Sequence, residues 1–239
     1  GGARGPLAGL LGGVDAVMSA TGRVRSLAAV PGVPSSAVVM AGEAGLVAVD
    51  ARTGNLLTEL VGHEGGVLAV AASLDGGAVV SVGEDNTIIK WDTETLSVQS
   101  KTPLGTEARA VALSPDSALA AVLTFDDIIV FHLGQGHTEG WSFKASLGQG
   151  DGSDNRDDPV QLAFWDSHTL AVALTRGRIQ LHDLADAGPF SGNPGSQHSW
   201  VGGMPLVTAD WVAHQGLVTC MASRPTSPYS SGAPGGSGG

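Results

Sequence analysis

Residues 60–100 read LVGHEGGVLAVAASLDGGAVVSVGEDNTIIKWDTETLSVQS, and they carry the most regular pattern in the chain. Three short apolar runs, rich in β-branched residues, are separated by turn-forming residues. The runs are Val67 to Ala71, Ala78 to Val82 and Thr87 to Trp91. Turns are predicted at 74–77 (LDGG) and at 84–86 (EDN). This alternation of strand and turn predicts an antiparallel meander.

The same pattern recurs in weaker form before and after this unit. The corresponding runs are 24–30, 37–42 and 46–50 in the first unit, 110–116, 119–123 and 128–131 in the third, and 160–165, 169–174 and 178–183 in the fourth. Asp50 lies 42 residues before Asp92, and Phe131 lies 40 residues after Trp91. His182 and Asp183 align with Trp91 and Asp92. A repeat of about 40 residues is therefore predicted.

Residues 60–100 resemble a WD40 repeat. Gly62-His63, the turn with Asp75-Gly76, Asp85 two residues before Thr87, and Trp91-Asp92 follow one another in the family's order. The resemblance implies an all-β fold, a WD40-type β-propeller of about four blades plus part of a fifth, as an incomplete segment of a larger propeller protein. It also implies that the family's stabilising hydrogen-bond set consists of His63, Ser81, Asp85 and Trp91.

The period divides the chain into three parts. Residues 1–22 are an N-terminal segment that could supply part of a blade strand, and residues 223–239 are a Pro/Ser/Gly-rich linker or disordered tail. The blades are expected within 23–222, at about 23–60, 60–103, 104–147, 158–200 and 204–222, and the last of them, beginning with the run 206–212, is partial. A polar insertion at 147–158 separates the third and fourth blades.

Two explanations of the incomplete ring remain open. Either further blades lie outside this sequence, or residues 6–18 supply the missing strand. We favour the first explanation. The chain starts with Gly1-Gly2 and lacks a signal-peptide pattern, so we expect it to begin inside a longer protein.

Charge and cysteine content restrict the classes of partner and compartment. The chain has 12 Lys and Arg against 23 Asp and Glu, a net charge of −11, and no basic run. Binding to nucleic acid or to an anionic membrane surface is therefore disfavoured, and no apolar run reaches the roughly 18 residues of a membrane span. Cys220 is the only cysteine, which favours a reducing, intracellular setting. The cytoplasm is favoured, and a cytoskeletal, ciliary or nuclear location stays open.

Two groups of residues invite a chemical interpretation. His63, Ser81 and Asp85 have the residue types of a hydrolase triad, but the chain has no G-x-S-x-G elbow, and the WD40 resemblance gives them a structural role. Residues 151–158 alternate oxygen ligands as a calcium loop does, but Arg156 and Leu162 replace the Gly and Glu that such a loop needs. We therefore expect no catalytic, cofactor-binding or metal-binding residues.

The predicted function is that of a non-catalytic scaffold or adaptor, which binds other proteins through blade loops within a larger protein or complex. A structural spacer propeller in a cytoskeletal or ciliary assembly is the main alternative. A propeller-based enzyme would need polar residues that converge from successive inner strands. The predicted inner runs, such as Val67 to Ala71 and Val111 to Leu113, are apolar and disfavour that class.

Overall fold

The computed structural model describes residues 17–31, 37–125, 127–134, 139–143, 157–185, 205–213, 218 and 221. The first sheet contains β1 (Val24–Val30), β2 (Ala37–Gly42), β3 (Leu46–Asp50) and β4 (Leu56–Leu60). The second contains β5 (Val67–Ala72), β6 (Val79–Gly83), β7 (Thr87–Trp91) and β8 (Val98–Pro103). The third contains β9 (Ala108–Leu113), β10 (Leu119–Thr124), β11 (Ile128–His132) and β12 (Glu139–Phe143). The fourth contains β13 (Pro159–Phe164), β14 (Thr169–Leu174), β15 (Arg178–Asp183) and β16 (Leu206–Val212).

Each sheet is an antiparallel meander in which strands lie side by side in chain order. Matching registers place Trp91 opposite Val79 in the second sheet, Phe131 opposite Ala120 in the third, and His182 opposite Leu170 in the fourth. The predicted all-β fold, built from propeller blades, is confirmed.

The sheets pack face to face around their first strands. β5 lies between β1 and β9, and β9 contacts β13 in turn. Three apolar clusters fill the interfaces, and the one between the first and second sheets contains Val39, Leu46, Val67, Ile89 and Trp91. Between the described parts of the first and fourth sheets there is no comparable packing. The four sheets therefore form an open arc.

The strand β16 differs from its prediction. We expected 206–212 to open a fifth blade, but the structure pairs it with β15 as the outermost strand of the fourth sheet. Arg178 forms an ion pair with Asp210, and Gln180 Nε2 donates to Asp210 Oδ2 at 3.0 Å, so side chains reinforce the register. The other run assigned to that blade, 216–222, lies outside the described residues except for 218 and 221. The remaining domain boundaries stay predictions.

The N-terminal segment is helical where it is described. Residues 17–21 form a helical turn, not a strand, and Val17 packs against Val47 and Val49 on the outer face of the first sheet. Thr21 is fully buried, and its backbone carbonyl lies so close to Gly42 that a Cβ there would overlap it. Residues 1–16 and the predicted tail at 223–239 lie outside the described part of the chain.

Hydrogen bonds join the turns that follow β5 and β9, the first strands of the second and third sheets. In the turn after β5, Ser73 Oγ donates to Asp75 Oδ1 at 2.7 Å, and in the turn after β9, Ser114 Oγ donates to Asp116 Oδ1 at 2.6 Å. Ser117 Oγ lies 2.5 Å from Asp75 Oδ1 and 2.7 Å from Ser73 Oγ, so it links the second and third sheets. The sequence contains a signal for these paired turns, because the pattern Ser-x-Asp occurs at 73–75 and again 41 residues later at 114–116.

Ser117 allows a test of this link. Its φ of 61° is unfavourable for a residue with a side chain. Ser117→Ala keeps this strain and loses the hydrogen bonds, and should lower the free energy of unfolding by about 1–2 kcal/mol. Ser117→Gly loses the same bonds but relieves about 1 kcal/mol of strain, so it should lie close to the parent. Urea denaturation of both variants and the parent gives these values. A Ser117→Ala variant as stable as the parent would contradict the link, and equal values for the two variants would contradict the strain at Ser117.

Candidate functional site

The four residues matched to the WD40 hydrogen-bond set lie together in the second sheet. His63 belongs to the connection between β4 and β5, Ser81 to β6, Asp85 to the turn after β6, and Trp91 ends β7. Trp91 Nε1 donates to Ser81 Oγ at 2.8 Å. His63 Nε2 lies 2.7 Å from Ser81 Oγ, and His63 Nδ1 lies 2.9 Å from Asp85 Oδ1. We call these four side chains the tetrad.

One assignment of protons satisfies every polar atom along the tetrad. Trp91 can only donate and the Asp85 carboxylate can only accept. Ser81 then accepts from Trp91 and donates to His63 Nε2, while His63 Nδ1 donates to Asp85. This order requires a neutral imidazole. Burial lowers the pKa of His63 despite the opposing effect of Asp85, which favours the neutral form.

Asp85 contacts both the buried His63 and the more exposed Glu64 backbone and Lys101. Burial disfavours its charged form, but hydrogen bonds from the backbone N–H of Glu64, from His63 and from Thr87 outweigh burial and hold the pKa of Asp85 well below its usual range. Lys101 Nζ adds an ion pair at 3.1 Å to Asp85 Oδ2 and donates to the carbonyl of Gly62 at 2.9 Å. The connection from β4 to β5 is therefore held at both Gly62 and Glu64.

Two glycines allow the tetrad to close. A Cβ on Gly62 would lie 2.9 Å from Trp91 Cη2, and a Cβ on Gly83 would overlap His63 Nδ1. The requirement for Gly62 explains why a Gly-His pair opens the repeat. Gly83 was missed in the sequence, although Gly42 stands at the same place in the first sheet, opposite Val24 as Gly83 is opposite Val67.

The tetrad lacks the access that a catalytic triad needs. Ser81 is completely buried, and its hydroxyl is engaged by both Trp91 and His63. Only 3% of the His63 side chain is exposed. A nucleophile must reach a substrate carbonyl to act. The geometry is that of a structural brace that holds two strands, one turn and one connection together.

A cleft of about 230 Å³ lies beside the tetrad, between the first and second sheets. We call it the inter-sheet cleft. Its walls come from the turn between β2 and β3 and from the connection between β4 and β5. They include Glu43, Gly45, Leu46, Glu59, Leu60, Val61, Gly62, His63 and Val67. Arg25 Nη1 donates to Glu84 Oε1 at 2.7 Å, and Glu84 Oε2 accepts from the backbone of Gly66 at 3.2 Å.

The fourth sheet uses different residues at the corresponding places. His182 stands where Trp91 stands in the second sheet, is 2% exposed, and packs on Phe143 at a ring-centroid distance of 5.3 Å. Neither of its ring nitrogens bonds to a described residue. Burial lowers the pKa of His182 to about 4, against a smaller opposing effect of Asp210. Asp157 Oδ1 accepts from Thr175 Oγ1 and from the Arg176 backbone, both at 2.9 Å.

The sequence predicts no metal site and no membrane span, and the structure describes only part of the residues that these predictions concern. Within the described ranges, no three His, Cys, Asp or Glu side chains are grouped closely enough to hold a metal ion. Most of the calcium-like stretch, 151–156, lies outside those ranges, as does Cys220. Among the helical residues that the structure describes, none belongs to a helix long and apolar enough to cross a bilayer.

Comparison with known proteins agrees with the architecture. Residues 54–92 match the family model of the WD domain, G-beta repeat. The crystal structure of the Cps50 (Swd1) β-propeller domain from Myceliophteria thermophila is similar, with a TM-score of 0.63 and 13% sequence identity over 83% of this chain. The chain spans 60% of the length of that protein, and the likeness concerns the fold. No curated protein matches the sequence.

The tetrad predicts that replacing Trp91 lowers the free energy of unfolding far more than replacing Trp165. Trp91→Ala should lower the free energy of unfolding by about 3–5 kcal/mol, because it empties a buried aromatic site and leaves Ser81 without its donor. Asp85→Ala should cost about 1–3 kcal/mol. Trp165→Ala is the matched control, because Trp165 is 61% exposed and should change stability by about 0.5 kcal/mol at most. Chemical denaturation gives all three values, and a Trp91 variant as stable as the control would refute the structural role.

His182 predicts a dependence of stability on pH. Its pKa of about 4 in the folded chain lies below the ordinary value of 6.5, so the unfolded chain binds more protons between these limits. The free energy of unfolding should therefore fall as the pH is lowered from 6.5 to 4, by roughly 2–3 kcal/mol from His182 alone. His63 acts in the same direction.

The variant His182→Phe should remove most of that contribution, because Phe131 occupies the same position in the third sheet. His168→Phe, at an exposed position, controls for the loss of one imidazole. Thermal unfolding measured at several pH values between 4 and 7 compares the slopes. A His182→Phe slope equal to that of the parent would contradict the assignment.

Proposed function

We propose that this chain is a non-catalytic scaffold that binds other proteins through the turns and connections at the ends of its sheets. The observation that carries the proposal is the way the second sheet is braced. The tetrad, Lys101 and the Arg25–Glu84 pair hold the connection from β4 to β5 in one arrangement. A surface that is already ordered loses little entropy when a partner binds.

Exposed apolar side chains lie at both ends of the sheets. Val61 (83% exposed) and Phe125 (61% exposed) belong to the end that carries the tetrad connection and the β10–β11 turn. Leu74 and Trp165 belong to the turns that follow β5 and β13, at the opposite end. Exposed aromatic and aliphatic residues on rigid supports are typical anchors of protein interfaces. Both ends therefore support partner binding.

The setting that we propose is a larger intracellular protein or complex, with the cytoplasm favoured by the single cysteine. The net charge of −11 favours protein partners over nucleic acid. The scaffold role competes with that of a spacer, which would hold other domains apart, in a cytoskeletal or ciliary assembly for example, without binding a partner itself.

Affinity capture from cells that express the tagged full chain separates the two roles. Two surface variants are compared with the parent: Val61→Ala with Phe125→Ala at the tetrad end, and Leu74→Ala with Trp165→Ala at the opposite end. The scaffold proposal expects one double variant to lose a defined set of co-purified proteins that the other retains. Each double variant serves as the control for the other, provided that both unfold at the temperature of the parent. Identical recoveries from all three chains would favour the spacer.

A further inference from the structure

We propose that the inter-sheet cleft binds an extended peptide segment that inserts one arginine or lysine side chain. This inference rests on the proposed scaffold function and names the chemistry of one partner. The cleft holds about 230 Å³, whereas sites for drug-sized ligands usually hold at least about 300 Å³. A space of this size suits a single long side chain better than a helix, whose diameter is about 10–12 Å.

The inner walls of the cleft combine apolar side chains with polar atoms. Leu46, Leu60 and Val67 line it with buried side chains, and Gly45 and Gly65 leave space beside them. The tetrad prevents Gly62 and His63 from collapsing inward. Arginine and lysine carry methylene stems that pack well on such walls while the charged end remains at the rim.

The rim of the cleft carries excess negative charge. Arg25 is engaged by Glu84 at 2.7 Å, and Lys101 is engaged by Asp85 at 3.1 Å, so these two cations are already neutralised. Glu43 and Glu64 are 3.9 Å from these same cations, and their side chains are 50% and 89% exposed. Glu59 forms no ion pair with any described residue. Of these carboxylates, Glu43 and Glu59 line the cleft and remain for a cation from outside.

The surroundings of the cleft also fit a cationic peptide. Arg23 is close to Glu43, since its backbone carbonyl accepts from the Glu43 N–H at 3.2 Å, but it does not line the cleft and so places no positive charge on the walls. Val61 is 83% exposed at the border of the cleft and offers contact to an apolar residue next to the inserted side chain. The charge of the whole chain, −11, attracts a basic segment at long range, and the cleft then selects one side chain from it.

The test measures fluorescence anisotropy of labelled peptides with the purified full chain. The probe is an acetylated GAVRVAG peptide, and its partner peptides carry lysine or glutamine in place of the arginine. We expect saturable binding of the arginine and lysine peptides, weakened by salt, and binding of the glutamine peptide reduced by about tenfold. Equal binding of the glutamine peptide would overturn the proposal.

Protein variants locate the binding. Glu43→Gln with Glu59→Gln removes two rim charges at exposed positions and should weaken binding of the arginine peptide by about tenfold. Glu94→Gln with Glu107→Gln removes the same charge from exposed positions away from the cleft and should leave the affinity within about twofold of the parent. Equal effects of the two pairs would show non-specific attraction and overturn the cleft assignment. Unfolding temperatures equal to that of the parent show that each variant is folded.

Failure of the cleft and failure of the scaffold have different signatures. The cleft inference is wrong and the scaffold proposal stands if two results coincide. Peptide affinity is unchanged by the rim variants, while recovery of proteins from cells still depends on Val61 and Phe125 or on Leu74 and Trp165. If both experiments show no dependence on surface residues, both are wrong.

Discussion

The hydrogen bond from Trp91 Nε1 to Ser81 Oγ is the contact on which the second sheet depends. It lies at the buried interface with the first sheet, where a polar atom without a partner is costly. Because Trp91 must donate to Ser81, the Ser81 hydroxyl donates in turn to His63 Nε2, and His63 Nδ1 then donates to Asp85. One buried indole thus orders two strands, a turn and the connection from the first sheet.

The neighbouring sheets solve the same packing problem with other residues. Thr21 packs closely against Gly42 in the first sheet, as His63 packs against Gly83 in the second. Because Thr21 belongs to the helical turn at 17–21, that turn braces the first sheet. Phe131 fills the tryptophan position in the third sheet without any polar atom. In the fourth sheet His182 fills it and packs on Phe143. What persists through the arc is a buried, bulky side chain at that position, while the hydrogen-bond network belongs to the second sheet.

The braced connection also shapes the surface. Gly62 and His63 form part of the inter-sheet cleft, and the same residues are held by Trp91, Asp85 and Lys101. Stability and the proposed binding are therefore linked in this region, since loosening the tetrad would change the walls of the cleft. At the opposite ends of the sheets, Ser73, Asp75 and Ser117 form a separate set of hydrogen bonds.

The apolar runs and the 40-residue repeat by themselves determined the three inner strands of each sheet, because buried positions impose a regular pattern on the chain. The residues of the tetrad came from the resemblance of residues 60–100 to a WD40 repeat. The outer strands β4 and β8 were not visible in the same way, because exposed side chains alternate there with half-buried ones and need not be apolar. The run 206–212 that forms β16 was recognised, but its sheet was not. Only the tertiary structure assigned β16 to the fourth sheet, because that assignment depends on backbone pairing with β15 across more than twenty intervening residues. It also decided that His63, Ser81 and Asp85 are enclosed rather than accessible, since burial depends on the sheet that packs against them and not on their spacing in the chain.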